Sequence, residues 1–261
     1  MKKIIAFLTV ITLCFCTLWC EVAAVPAKEI HWYTTRNKEH KQALVPPDLS
    51  FVENHGGVYI DHRHDDSNPD KVIYLTFDVG YENGNVEKTL NTLKETQTPG
   101  AFFVLKHFVT ENRDLVLRMA EEGHLICNHT ANHPNLANVS REKIKAEITA
   151  LEKAVEEVTG SGTKPYFRPP EGSFSLEMLE TVQSLGYKTV FWSFAYADWD
   201  NNKQQKPSVA LSQILTHMHN GAVILLHPTS ATNAEILPEL INTLKKEGYR
   251  FGTLDELCFA R

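Results

Sequence analysis

Two imidazoles four residues apart, His129 and His133, follow the short apolar run Leu125-Ile-Cys127. On one helical turn, that spacing places both side chains on one face, close enough to share a small ion. Neutral imidazole is also the commonest side-chain ligand for a borderline metal. With 12 His among 261 residues, such a pair reads equally well as surface or capping histidines. The functional reading therefore depends on what else reaches the same place. Asp78 follows the apolar run Val72–Phe77, Arg168 follows Tyr166-Phe167, Asp198 lies beyond Thr189–Phe194, and His227 ends Ala222–Leu226. Glu82 and Glu171 are secondary candidates for substrate contact.

Each of these has a plainer alternative. Asp78 can cap the next helix, Arg168 can serve a surface ion pair, His227 can be a satisfied core histidine, and Asp198-Trp199 can be loop packing. Pro169 and Pro170 fix their own backbone angles and stiffen the loop after Arg168, which suits a positioned group better than a solvated one. As a set, the residues suit hydrolysis of an amide or ester. A metal held by His129 and His133 would polarise the carbonyl and bind the attacking water. Asp78, oriented by Arg168, would take the proton of that water; His227, held in its acidic form by Asp198, would protonate the leaving amine.

The elements that must position them alternate between strand and helix signals from Lys71 onward. Strands are expected at Val72–Phe77, Ala101–Leu105, Leu125–Cys127, Tyr166–Phe167, Thr189–Phe194, Ala222–Leu226 and Tyr249–Phe251. Helices are expected at Asn85–Glu95, Asn112–Glu122, Arg141–Val158, Leu176–Leu185, Ser208–His219 and Ala234–Lys246. The clearest begins after the N-cap Ser140, carries the stripe Ile144, Ile148, Leu151, Val155 and Val158, and stops at Gly160. This pattern implies an α/β fold with about seven parallel strands covered by helices. Neither a Gly-x-Gly-x-x-Gly nor a Walker-type loop follows any strand, so a (β/α) barrel, complete or incomplete, fits better than a doubly wound nucleotide-binding sheet. In a barrel, the chemistry sits at the carboxyl ends of the strands, where all of these candidates lie.

A formal net charge of −6 and the absence of a basic run argue against a nucleic-acid partner. Met1-Lys-Lys3, the apolar run Ile4–Cys20 and the small-residue exit Val22-Ala-Ala24 read as a secretory signal peptide cleaved near Ala24, with a retained single-span anchor as the alternative. Either way, the folded part is expected to be exported and to work outside the cytoplasm. Residues 25–70 carry aromatics without clean periodicity and read as an arm packed on the main domain, residues 71–261. Beyond the leader only Cys127 and Cys258 remain, and both read as buried free thiols.

Five segments in order, Thr76-Phe-Asp-Val-Gly80, His129-Thr-Ala-Asn-His133, Arg168-Pro-Pro-Glu-Gly172, Asp198-Trp199 and Leu225-Leu-His227, resemble the motifs of the polysaccharide deacetylases, the family-four carbohydrate esterases. The resemblance implies a distorted (β/α) barrel that removes acetyl groups from N-acetylated sugars with a divalent metal, usually zinc. It implies Asp78 as base, His129 and His133 as metal ligands, Arg168 as the partner of the base, His227 as acid and Asp198 as the residue that tunes it. Tyr74-Leu-Thr-Phe-Asp78 running into Gly80-Tyr-Glu-Asn-Gly84, with Phe191-Trp-Ser193, is similar to the muramic-acid de-N-acetylases of spore-forming bacteria. That branch implies N-acetylmuramic acid in peptidoglycan as substrate, toward the δ-lactam of spore cortex. Two departures stand out. Val79 occupies the place of the family's third metal ligand, which implies weaker metal binding, and Ala195 stands where a further Asp is usual. Deacetylation of N-acetylglucosamine, or a catalytically impaired glycan-binding role, are the competing readings. Oligomeric state is left open by the residues.

Overall fold

A computed structural model describes residues 28–259; the proposed leader lies outside the described residues. In chain order the elements are β1 (Ile30–His31), β2 (Gly57–Val58), β3 (Lys71–Val79), α1 (Asn85–Glu95), β4 (Ala101–Val104), α2 (Lys106–Glu111), α3 (Arg113–Glu121), β5 (Leu125–Asn128), α4 (Arg141–Thr159), β6 (Tyr166–Phe167), β7 (Ser173–Phe174), α5 (Leu176–Ser184), β8 (Lys188–Val190), α6 (Pro207–Thr216), β9 (Ala222–Leu226), α7 (Ala231–Lys246), β10 (Tyr249–Phe251) and α8 (Leu254–Phe259). Short 3₁₀ turns occupy Pro47–His55 and Pro170–Gly172.

The main sheet runs β10-β3-β4-β5-β6-β8-β2, with β9 also paired to β3, and all of these pairings are parallel. Seven of its strands are the expected ones. The eighth, β2, comes from the arm and adds to β8 through Gly57↔Thr189 and Val58↔Val190. The expected strand Thr189–Phe194 is cut short: β8 ends at Val190, and Phe194 instead forms a parallel bridge to Ile224 of β9. That bridge, supported by the Phe194 carbonyl accepting from Leu225 N at 2.9 Å, joins the two ends of the curved sheet together with an antiparallel bridge between Ile60, just past β2, and Ala222 of β9. The barrel is distorted because one strand is replaced there by a bend.

Strand side chains alternate between the barrel interior and the helix layer. Val72, Tyr74, Phe103, Leu125, Cys127, Tyr166, Val190 and Val223 fill the interior, together with Leu254 and Leu257 from α8. Ile73, Leu75, Phe77, Val79, Phe102, Val104, Ile126, Ile224 and Leu226 point outward against the helices. Cys127 and Cys258 are free thiols; Cys127 is buried as expected, whereas Cys258 is only partly buried.

Some boundaries differ. The expected helix Asn112–Glu122 is preceded by a further short helix, α2, and the chain bends at Asn112, which has φ −128° and ψ 49°. α6 starts one residue earlier than expected, with Pro207 at the helix start where its missing N–H costs nothing, and ends at Thr216. α7 begins at Ala231 because Ser230 caps it by accepting from Asn233 N. α4 matches its sequence signals, with Ser140 accepting from Lys143 N and Gly160 in the left-handed region. Among the described residues, no helix is long and apolar enough to cross a membrane.

Candidate active site

The inward parity of the strands brings the candidates together. Asp78 follows Tyr74 and Thr76 on the interior face of β3, His129 follows Leu125 and Cys127, Arg168 follows Tyr166, and His227 follows Val223 and Leu225. All lie at the carboxyl ends of strands of the main sheet, with β4 between β3 and β5. Asp78, His129, His133, His227 and Glu171 line one cavity of about 800 Å³, whose walls also include Tyr81, Trp192, Tyr196, Trp199 and Leu225.

Arg168 is wholly buried and every arm of its guanidinium is occupied. Nη1 donates to Asp78 Oδ1 at 2.7 Å, Nη2 to Thr76 Oγ1 at 2.8 Å and to the Phe191 carbonyl at 3.2 Å, and Nε to the Val190 carbonyl at 3.0 Å. Its plane also lies over the Phe103 ring, 4.1 Å from the centroid. Burial alone would raise the Asp78 carboxyl, but the charge of Arg168, with contributions from His129 and His227, outweighs it and holds the group below its ordinary value. Asp78 is therefore an ionised carboxylate with one oxygen fixed. Its other oxygen faces His129 Nε2 at 3.6 Å.

His129 and His133 converge, though not through a helical turn. The segment is a loop, and Thr130 and His133 adopt left-handed φ values of 74° and 56°. Asn128 holds the bend by accepting from Thr130 N at 3.0 Å, and Thr130 Oγ1 accepts from His133 N at 2.9 Å. The two rings end 5.0 Å apart at 73°. His129 Nδ1 meets the Arg168 carbonyl at 2.8 Å; a carbonyl only accepts, so Nδ1 carries the proton and Nε2 offers its lone pair. Burial pushes the imidazolium form of His129 down to about 4, so the ring is neutral at ordinary pH.

These two imidazoles fit a divalent cation only as a partial donor set. Among the described residues no group of three or more His, Cys, Asp or Glu side chains is placed to hold a metal ion. Val79 has outward parity and sits 1% exposed in the core with Val86, Leu90 and Val104. It has no donor atom, and its side chain is on the other face of the strand from Asp78.

His227 is held by Asp198 twice: its backbone N donates to Oδ2 at 2.8 Å and its Nδ1 to Oδ1 at 2.7 Å. Burial opposes the charged imidazole, but the hydrogen bond to Asp198 and its charge outweigh burial and raise the group above its ordinary value. Because Nδ1 is committed to Asp198, Nε2 is the nitrogen left to act in the cavity. Asn233 Nδ2 donates to Asp198 Oδ2 at 2.6 Å, and Tyr196 OH donates in turn to Asn233 Oδ1.

Thr76, Tyr196 and Asn233 were not singled out from the sequence. Thr76 stands two residues before Asp78 on the same strand face, so period-two parity could have found it; Asn233 lies in the first turn of a helix and carries no such signal. Of the two secondary candidates, Glu171 lines the cavity at φ 60°, whereas Glu82 turns back on its own loop to accept from Gly84 N.

Comparison with known proteins places this geometry. Residues 65–190 match the family described as polysaccharide deacetylase. The chain is 39% identical over 246 residues, 92% of this chain and 90% of the relative, to peptidoglycan-N-acetylmuramic acid deacetylase PdaA of Bacillus subtilis. The chain belongs to the polysaccharide deacetylase family. The solved structure of Bacillus subtilis PdaA, a family 4 carbohydrate esterase, superposes with a TM-score of 0.84 over 90% of this chain and 99% of that one. A peptidoglycan-N-acetylglucosamine deacetylase from Bacillus cereus is 34% identical, covering 73% of this chain and 89% of its own length. A structure of a family 4 pseudoenzyme from Bacillus anthracis is 27% identical, with a TM-score of 0.70 over 83% of this chain and 73% of that one. The fold expected from the sequence is therefore the one seen in this family.

Proposed function

We propose that this chain hydrolyses the N-acetyl group of N-acetylmuramic acid in peptidoglycan, releasing acetate and leaving a free amine, a step toward muramic δ-lactam. The observation that carries the reading is the pair of acid–base units facing one cavity: buried Asp78 fixed by Arg168, and half-buried His227 fixed by buried Asp198. Identity to the muramic-acid deacetylase along nearly the whole chain supports the choice of sugar.

The chain's own groups account for the proton transfers. Asp78 is ionised and presents the oxygen that Arg168 does not hold, which accepts the proton of a water attacking the acetyl carbonyl. The C–N bond breaks as His227, protonated and oriented by Asp198, gives its Nε2 proton to the departing nitrogen. Leu225 and Trp192 supply the apolar wall beside it. A divalent metal, zinc by family resemblance, would be held by His129 and His133 and would supply Lewis-acid polarisation of the carbonyl. With only two imidazoles and Val79 turned into the core, that ion is weakly held. A purified protein retaining one tightly bound zinc through prolonged chelator dialysis contradicts this.

The leader composition supports export, with residues 25–70 as an arm and 71–261 as the catalytic domain acting on glycan at the cell wall or spore envelope. The missing donor at Val79 favours one competing reading, an impaired glycan-binding protein. Assays of acetate release with zinc, cobalt and manganese, on wild type, Asp78→Asn and His227→Ala, separate the two. Equal inactivity of all three proteins favours binding alone; turnover only by wild type favours the enzyme.

A further inference from the structure

Residues 29–36 of the arm touch, one after another, three of the loops that build the cavity. Glu29 accepts from Asn135 Nδ2 at 2.5 Å and from Asn138 Nδ2 at 3.1 Å, on the loop that follows His133. Ile30 and His31 pair antiparallel with Phe174 and Ser173, and Trp32 N donates to the Gly172 carbonyl at 2.9 Å, on the loop that carries Glu171. Trp32 Nε1 donates to the Trp192 carbonyl at 2.9 Å, Thr34 Oγ1 to the Ser193 carbonyl at 3.0 Å and Arg36 Nη1 to the Ala195 carbonyl at 3.0 Å, on the bend leading to Asp198. The segment therefore crosses the outside of the site wall as a belt, and it lies ahead of the residues matching the family.

Trp32 is the centre of this belt. It is 5% exposed and stacks on Phe191, with ring centroids 4.4 Å apart and planes at 22°. The Phe191 carbonyl is one of the acceptors that orient Arg168, and Arg168 orients Asp78. Gly172 shows how closely the pieces are fitted: it has φ 67°, and a Cβ there would stand 2.7 Å from the Trp192 ring and 3.4 Å from Trp32. The Trp192 and Gly172 carbonyls, both from cavity-lining residues, are thus pinned by the two N–H groups of one arm residue.

We propose that Trp32 is a positioning residue for deacetylation: by holding Trp192, Gly172 and Phe191 together, it fixes the cavity wall and the Arg168–Asp78 pair. The inference rests on the deacetylase reading above. It differs from simple stabilisation of the fold, because it requires turnover per folded molecule to fall. Displacements of around an ångström at such a wall are enough to cost rate by roughly an order of magnitude or more.

The test compares wild type, Trp32→Phe and Trp32→Ala in the full chain. Trp32→Phe keeps an aromatic ring beside Phe191 and removes the Nε1–H together with part of the buried indole, so the melting temperature is read alongside kcat. Each protein is measured for kcat and KM on whichever glycan the wild type deacetylates, for melting temperature, and for amide hydrogen exchange in residues 166–174 and 190–196. The expected result for Trp32→Phe is a kcat lowered about fivefold or more in fully folded protein, with faster exchange confined to those two segments. Trp32→Ala, if it folds, is lower still. Wild-type kcat and unchanged exchange in Trp32→Phe overturn the proposal, whether or not Trp32→Ala folds. So does a loss that only tracks the unfolded fraction. If wild type acts on N-acetylglucosamine and not muramic acid, the substrate reading fails while the Trp32 comparison still decides. If wild type acts on no glycan, the deacetylase reading fails and the proposed role of Trp32 in turnover fails with it.

Discussion

Arg168 Nη1, just past β6, and Asp78 Oδ1, on β3, lie 2.7 Å apart, both side chains buried, and Arg168 has no other carboxylate partner among its hydrogen bonds. A buried carboxylate deprived of its cation is costly. Arg168→Met is expected to destabilise the protein by about 3–5 kcal/mol, measured by urea denaturation near neutral pH. Most of that loss should disappear at acid pH, where Asp78 becomes neutral. Equal destabilisation at both pH values would show that Arg168 matters through packing rather than charge.

The two acid–base units set opposite limbs of the pH profile. Asp78 must be ionised, and its group is held below the ordinary carboxylate value, so kcat/KM should already be at its plateau on the mildly acidic side. His227 must be protonated, and its group is raised above the ordinary imidazole value, so activity should persist through neutrality and fall only as pH passes the raised value. Asp198→Asn removes the charge that sustains the imidazolium. The expected outcome is an alkaline limb moved to lower pH and a kcat reduced roughly 10²-fold or more. A limb that stays in place would dissociate Asp198 from the acid.

Asn233 gives Asp198 an extra donor and is itself oriented by Tyr196. Asn233→Ala deletes a hydrogen bond to a charged group, a change of about 1.5–3 kcal/mol. A roughly tenfold or larger fall in kcat/KM is expected, with Tyr196→Phe giving a smaller loss in the same direction. Steady-state kinetics of the two single variants and the double variant check this, because a shared role makes the losses less than additive.

Val79 is a core residue in this chain. Val79→Asp should therefore lower metal-free stability by about 3 kcal/mol, since it buries an unpaired carboxylate among aliphatic side chains. Urea denaturation with and without zinc measures it. Undiminished metal-free stability would mean that a side chain at position 79 swings easily into the cavity.

Much of this site was legible in the sequence because strand parity is simple. Once β3, β5, β6 and β9 are placed, Asp78, His129, Arg168 and His227 follow as the next inward positions at carboxyl ends. The illegible parts depend on irregular backbone. The pairing of His129 with His133 looked like a helical turn, and it is a loop made by left-handed Thr130 and His133, held by Asn128. The run Thr189–Phe194 looked like one strand, but it bends after Val190 so that Phe194 can join β9. The arm lacked periodicity because it forms two two-residue strands and a 3₁₀ turn, each ordered by contacts distant in sequence.

The central claim is tested most directly by mass spectrometry of muropeptides after peptidoglycan, with and without its stem peptides, is incubated with the enzyme and divalent metal. Loss of a single acetyl group from peptide-free muramic acid, with N-acetylglucosamine intact and no change with Asp78→Asn, is the expected result. Acetyl loss confined to N-acetylglucosamine, or no loss across zinc, cobalt and manganese, would contradict it.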